Sequence, residues 1–400
     1  MNIGIFIDTY EPQINGVVTS TKMLKEELEN FGHRVTIITV KNPQAKDSKQ
    51  RNDVIRIPSI PFPPLPEHRI GLLYSYQAMK KIENLNLDII HTQTEFSIGV
   101  FGRIMAKRLD IPVVHTYHTM YEDYMHYITN NTMLKYASNL AKKASKLYCQ
   151  KYDKVIAPTV KTKNALQSYG LNNDIEVIPT GIKLKRFKKE NHSEKEINEL
   201  KRKFNIKPNQ PVILYIGRIA REKSIDIILK EFPKLLDKIP DAMFLIVGDG
   251  PVKSDLEGLT KKLNITSSVI FAGEKPWEEI GKYYQLGDVF VSASTTETQG
   301  LTFVEAMASK TPVLAKYDTN LDDMLEDKVN GRVFYKDKNL SDILIEILKN
   351  KYGTELMVKR AYQDVQSISA VEFGKKVEKI YSEILYKKEA INDEDLLWIM

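Results

Sequence analysis

Short runs of β-branched and aromatic residues alternate with longer amphipathic stretches along the whole chain. Ile3-Gly4-Ile5-Phe6-Ile7 reads as a buried strand, followed by a loop over residues 8–16. A helix through Thr19–Asn30 comes next, closed by Phe31-Gly32-His33, and Val35 to Val40 forms the second strand. The alternation continues with strands at Asp88–Ile90, Pro112–Val114 and Val155–Ala157 and helical patterns between them. After the charged segment 188–210 it restarts, with strands at Pro211–Gly217, Met243–Val247, Val269–Phe271 and Asp288–Val291. Such alternation predicts parallel sheets covered by helices on both faces. Two Rossmann-like α/β domains are expected, at 1–185 and 186–400, with the last helix able to pack back on the first. Open parallel sheets bind ligands beyond the carboxyl ends of their strands, so the expected site is a cleft between the two domains.

Composition narrows the class. A chain of 400 residues with 42% hydrophobic and 28% charged positions can bury two ordinary cores. No apolar run approaches the ~20 residues needed to span a bilayer. The opening run Ile3–Ile7 meets Asp8 at once and lacks a basic leader, unlike a secretory signal. The single cysteine, Cys149, suits a reducing compartment. These features predict a cytoplasmic protein whose membrane contact, if any, is peripheral. The net charge of +6 is too mild to imply nucleic acid. Its distribution is uneven: residues 1–180 hold 22 Lys and Arg against 17 Asp and Glu, so nearly all the surplus lies in the first half.

The candidate chemistry concentrates at predicted strand ends. In Ser292-Ala293-Ser294-Thr295-Thr296-Glu297-Thr298-Gln299-Gly300-Leu301-Thr302-Phe303-Val304-Glu305, two carboxylates flank a strand–turn–helix junction. The junction offers backbone N–H groups to an anion, Glu297 lies in the turn, and Glu305 lies about one turn into the helix. That arrangement suits a ligand with a central phosphate and hydroxyls at both ends, such as a sugar nucleotide. Arg218 and Lys223, in the loop after Pro211–Gly217, are a fork donor and a point charge suited to a diphosphate; a solvated basic loop has the same composition. Gly16 sits at the first strand–helix junction, where a glycine lets backbone approach a ligand and equally serves sterics alone. There is no G-x-G-x-x-G, which counts against a nicotinamide-dependent dehydrogenase. In His115-Thr116-Tyr117-His118 either histidine suits a packed role, and His118 lies just beyond a strand end. Asp393-Glu394-Asp395 matches a metal-binding D-x-D pattern but follows no strand, so neither metal nor cofactor is expected.

These residues together resemble the GT4 family of retaining glycosyltransferases with the GT-B fold, over nearly the whole chain. The E-x7-E element matches Glu297 and Glu305, the diphosphate-binding Arg and Lys match Arg218 and Lys223, and the N-terminal glycine loop matches Gly16. Asp8-Thr9-Tyr10-Glu11-Pro12-Gln13, His115 to Tyr121 and the wording around Glu297 are similar to bacterial diacylglycerol glucosyltransferases. Gln299-Gly300 and Asn15-Gly16 depart from the commoner Phe-Gly and Gly-Gly, without removing a charge. The resemblance implies that Glu305 holds ribose hydroxyls, Arg218 and Lys223 the diphosphate, and Glu297 the sugar hydroxyls. It also implies that backbone near Gly300, Leu301 and Thr302 orients sugar and phosphate, and that His118 sits over the sugar near the attacking hydroxyl. The implied reaction moves glucose from UDP-glucose to 1,2-diacylglycerol with retention; the alternatives are transfer to another lipid or a cell-wall polyol, and a catalytically silent sugar-nucleotide- or lipid-binding protein.

The acceptor side is expected in the first domain. Residues 131–154 carry six Lys against one acid, Asp153. On a helix, Lys135, Lys142 and Lys146 share a face with Lys143 beside it, while Met133, Ala137, Leu140, Ala144 and Leu147 form the opposite, core-facing stripe. A solvated basic face and a dock for anionic lipid headgroups are both consistent with this pattern. Ile60 to Pro66 reads as an apolar, proline-stiffened loop, and Tyr121, Tyr124, Met125 and Tyr127 add apolar surface near His118.

Overall fold

The computed structural model describes the chain except residues 14, 44–52, 63–64, 73–75, 120–133, 295–296, 298, 323 and 398–400; the side chains of 65–68, 134–137, 320, 338, 389 and 391–397 are also outside the description. The chain forms two compact units, Met1–Gly181 with Ala370–Met400, and Ile182–Ser369.

The first unit is built on seven parallel strands: β1 (Asn2–Phe6), β2 (Arg34–Val40), β3 (Val54–Ile57), β6 (Ile89–Thr92), β7 (Val113–Thr116), β8 (Lys154–Ala157) and β9 (Ile175–Val177). Their spatial order is β3-β2-β1-β6-β7-β8-β9, so chain direction across the sheet reverses between β1 and β6. A crevice at the carboxyl ends of those two strands follows from that reversal. Asp8, just past β1, spans it. Its carboxylate accepts from Thr94 Oγ1 (2.6 Å), Ser97 Oγ (2.5 Å) and the Ile98 backbone N–H (2.8 Å). The helix Ser97–Leu109 has no side-chain cap of its own, and Asp8 supplies one from a distant part of the sequence.

Two expectations change here. The stretch Ile60 to Pro66, read as a loop, falls largely in a two-stranded antiparallel ribbon of β4 (Ser59–Phe62) and β5 (Leu65–Gly71), in which Ile60 faces Ile70. The ribbon is an edge structure with no further strands, so its prolines remove no ladder bond from the main sheet. The helix Leu134–Cys149 turns a different face inward than predicted: Leu140 (69% exposed), Ala144 and Leu147 (61%) point to solvent. Its inner face is Ser145, Tyr148 and Cys149. Tyr148 packs with His115 and Tyr152 at a ring separation of 5.1 Å from each, and Ser145 Oγ meets the Tyr117 hydroxyl at 2.9 Å. This aromatic cluster fixes the helix rotation, which a count of Leu and Ala against Lys could not show. Met133 and the side chains of Lys135 and Ala137 lie outside the described residues, as do Tyr121, Tyr124, Met125 and Tyr127.

The helix Ala370–Leu397 belongs to this unit. Phe373, Val377, Ile380 and Tyr381 are buried with Ile3, Ile5 and Leu24, and the Tyr381 hydroxyl meets His91 Nδ1 at 2.6 Å.

The second unit has six parallel strands: β10 (Val212–Ile216), β11 (Met243–Val247), β12 (Val269–Gly273), β13 (Val289–Ser292), β14 (Val313–Lys316) and β15 (Arg332–Phe334). Their order, β12-β11-β10-β13-β14-β15, places the reversal between β10 and β13. The strands carry near-continuous apolar runs because both faces are covered. Among the described residues no helix is long and apolar enough to cross a membrane.

Phe373 is 5% exposed, so Phe373→Ala should cost the first unit about 3 kcal/mol. Hydrogen exchange should then show earlier loss of protection in β1 and the helix Gly16–Asn30. Loss confined to Ile182–Ser369 would contradict this assignment of the C-terminal helix.

Candidate active site

In the second unit the candidate residues gather at the carboxyl ends of β10 and β13, the strands flanking the reversal. Lys223 Nζ meets Glu297 Oε1 at 2.5 Å, joining the loop after β10 to the loop after β13. Burial alone would favour a neutral Glu297; the adjacent Lys223 ammonium, with hydrogen bonds from Lys223 and Ser294, outweighs it and holds the carboxyl below its ordinary range. Arg218 is exposed, and its backbone carbonyl accepts from the buried Tyr215 hydroxyl at 2.9 Å.

Glycines set the backbone around this pair. Gly300 adopts left-handed geometry (φ 71°, ψ 54°) and opens the helix Leu301–Ala308, its carbonyl accepting from the Phe303 N–H at 3.0 Å. A side chain at Gly300 would also stand 2.5 Å from the Phe303 ring. Gly248, with φ 147°, lies so close to the β10 loop that a Cβ would sit 1.9 Å from the Gly217 carbonyl oxygen. The Ile219 N–H donates to the Asp249 carbonyl at 2.9 Å, so the loops after β10 and β11 touch backbone to backbone. Sequence analysis passed over this contact, although Gly248-Asp249-Gly250-Pro251 directly after a strand is a visible signal.

Glu305 stands in a different environment. Its carboxylate accepts from the wholly buried Tyr284 hydroxyl at 2.8 Å. Burial pushes it up to about 7, against hydrogen bonding from Tyr284 and Trp277 and the charge of Arg186. Arg186 Cζ lies over the Trp277 ring, 3.6 Å from its centroid. These three neighbours come from remote segments, and no local motif announced them.

The first unit carries the other candidates. Asn15 caps the helix Gly16–Asn30, its side chain accepting from the Val18 N–H at 2.9 Å. A Cβ built on Gly16 would meet nothing within 4 Å, so packing within the chain does not require glycine there. The two histidines separate clearly. His115 is wholly buried, with Nδ1 2.8 Å from Thr92 Oγ1 and Nε2 3.1 Å from Glu95, which makes it part of the core. His118 is half-buried past the end of β7, and its Nε2 meets Gln93 Oε1 at 2.7 Å. Loss of hydration and the neighbouring His115 push His118 down to about 3, leaving a neutral ring at physiological pH. Among the described residues no group of three or more His, Cys, Asp or Glu is placed to hold a metal ion.

The basic helix presents Leu140, Lys143, Ala144 and Leu147 on one exposed face. Lys142 and Lys146 are half-buried, and Lys142 Nζ lies 5.6 Å from the Tyr169 ring centroid.

Lys223→Met would strand the Glu297 carboxylate without its cation. The loss should be about 2–3 kcal/mol in the second unit, with Glu297→Gln added to Lys223→Met restoring at least half of it. Urea melts of the single and double variants measure this, and additive losses would contradict coupling. Because the folded Glu297 carboxyl titrates below its ordinary value, the pair's contribution is full above that value and fades as pH falls through the folded one.

Comparison with known proteins places this geometry in a family. Residues 14–186 match Glycosyltransferase Family 4, and residues 196–364 match Glycosyl transferases group 1. The chain is 37% identical to an alpha-monoglucosyldiacylglycerol synthase of Streptococcus pneumoniae, across 98% of this chain and 89% of the relative. It is also 37% identical to an alpha-monoglucosyldiacylglycerol synthase of Acholeplasma laidlawii, across 97% and 98%. Among solved structures, Anabaena HepE in complex with UDP-glucose superposes with a TM-score of 0.75 at 17% identity, covering 95% of this chain and 99% of that one. That likeness bears on the fold, which is GT-B, with two Rossmann-like domains. With its strand-end carboxylates and cations in place and its relatives matching end to end, this chain belongs to the GT4 family of glycosyltransferases.

Proposed function

We propose that this glycosyltransferase moves glucose from UDP-glucose to the free hydroxyl of 1,2-diacylglycerol, with retention, and does so at a membrane surface. The observation that carries the reading is the Lys223–Glu297 pair at the reversal of the second sheet, with the Gly300 helix start beside it. The near-full-length relatives, both alpha-monoglucosyldiacylglycerol synthases, support the acceptor. A protein of the same fold that holds UDP-glucose supports the donor.

In this reading Arg218 and Lys223 hold the diphosphate, and the backbone at Gly300, Leu301 and Thr302 orients the phosphate and sugar. Glu305 accepts from the ribose hydroxyls and Glu297 from those of the sugar. As the bond from C1 to the diphosphate oxygen breaks, the acceptor oxygen bonds C1 on the same face. The acceptor's proton passes to the departing diphosphate. The two cations stabilise the charge that develops on that leaving group, and positioning supplies the rest. No nucleophilic carboxylate is assigned, in contrast to retaining glycosidases. Gly16 leaves open space for donor or acceptor at the first strand–helix junction. Neutral His118 serves as a hydrogen-bonding group near the attacking hydroxyl, because a ring titrating at about 3 is too weak a base to carry the proton.

The helix Leu134–Cys149 suits the membrane contact better in its observed orientation than in the predicted one. Two exposed leucines beside Lys143 give an interfacial face that is apolar and basic together, flanked by Lys142 and Lys146, with Lys135 on the same helix. At ~1 kcal/mol per near-surface Lys, Lys142, Lys143 and Lys146 contribute about 3 kcal/mol of salt-sensitive attraction to anionic lipid. Peripheral attachment at the cytoplasmic face follows from this reading.

The test is product formation from labelled UDP- and GDP-sugars with diacylglycerol vesicles. Glucosyl-diacylglycerol is expected from UDP-glucose alone, and Glu297→Ala should abolish it without unfolding the protein. UDP release without lipid product would discard the acceptor, and full turnover by Glu297→Ala would discard its role. Replacing Leu140 and Leu147 with Ser, or Lys142, Lys143 and Lys146 with Ser, should each reduce sedimentation with anionic vesicles. Unchanged sedimentation in both would return the helix to a solvated surface.

A further inference from the structure

Four side chains from three separate segments converge in the second unit without forming part of any contiguous motif. Glu305 lies on the helix Leu301–Ala308, and Tyr284 ends the short helix Ile280–Tyr284. Trp277 lies in the turn Trp277–Glu279, and Arg186 in the helix Leu184–Phe187 that opens the unit. The Tyr284 hydroxyl is 2.8 Å from Glu305 Oε2 and 3.2 Å from the Thr302 carbonyl, so one phenol touches both the carboxylate and the helix start. Tyr284 is fixed in turn by Phe187 and Phe290, at ring separations of 5.8 and 5.9 Å. The Arg186 guanidinium, 3.6 Å above Trp277, is held in place by the indole face.

We propose that Tyr284, Trp277 and Arg186 are positioning residues that orient the Glu305 carboxylate and supply the positive charge it needs to bind the vicinal hydroxyls of a nucleoside diphosphate. The proposal rests on the reading of Glu305 as the ribose-holding residue. An ionised carboxylate offers both oxygens as strong acceptors to two hydroxyls, whereas a neutral carboxyl offers only its carbonyl oxygen, and burial opposes ionisation here. Arg186 is the cation whose charge opposes that effect of burial. Glu279 pairs with Lys282 (2.5 Å), Glu190 with Lys310 (3.2 Å) and Asp364 with Arg360 (3.1 Å), while Lys185 is exposed and Tyr215 is a buried phenol. Nucleotide binding therefore strengthens as pH rises through the neutral range, where Glu305 titrates at about 7. Below that pH the protonated carboxyl has lost half of its acceptor capacity.

Calorimetric titration with UDP from pH 6 to 9 tests this on the full chain. The wild type should bind more tightly as pH rises, with a midpoint near 7. Glu305→Gln, measured in parallel, removes the protein's titration and leaves that of the UDP phosphate. Arg186→Met should shift the midpoint upward and weaken binding at pH 7 about fivefold, with recovery at pH 9. Tyr284→Phe should weaken binding throughout. A second readout needs no ligand: with Trp398→Phe, Trp277 is the only tryptophan, and its emission should follow the Glu305 titration and lose that transition in Glu305→Gln. If UDP fails to bind, the ribose reading falls while the emission titration still judges the cluster. A wild-type midpoint in Arg186→Met by both readouts overturns the proposal.

Discussion

The second unit depends on one ion pair. Lys223 and Glu297 come from loops 74 residues apart, yet they meet at 2.5 Å because β10 and β13 are neighbours in the sheet. At that reversal the connections from the two strands leave toward opposite faces, so their loops diverge and open a crevice. A buried carboxylate in such a place is costly without its cation. The pair thus both draws the two loops together and stores charge where a diphosphate would sit. The close backbone approach of Gly217 to Gly248 brings in the third loop and leaves no room for a side chain.

The first unit solves the same topological problem differently. Asp8 crosses its reversal with four hydrogen bonds to the segment Thr94–Gly99 and no cation. In the same unit His91, His115 and His118 are paired with hydroxyl, carboxylate or amide groups. The exposed leucine and lysine face of the helix Leu134–Cys149 belongs to this unit.

The strands and the carboxylate pair were legible because each is a local pattern. Period, Gly at a strand end and seven residues between Glu297 and Glu305 all survive without knowledge of tertiary contacts. Glu305's surroundings were not legible, since Arg186 reaches it from one distant segment and Trp277 with Tyr284 from another. The helix Leu134–Cys149 failed in orientation for a related reason: Tyr148 outweighed Leu140 and Leu147 because His115 and Tyr152 were waiting for it. The β4–β5 ribbon was hidden by prolines that argue against a strand in a sheet interior but not in an isolated edge pair. The histidines were sorted only by their partners, which place His115 in the core and leave His118 at its margin.

The central claim is that glucose is transferred with its anomeric configuration kept. Proton NMR of the lipid product formed from UDP-glucose and diacylglycerol decides the stereochemistry from the H1–H2 coupling. A small coupling, that of an α-glucoside, is the result the account predicts. A large coupling would mean inversion, and the same-face displacement assisted by the departing diphosphate would then be wrong.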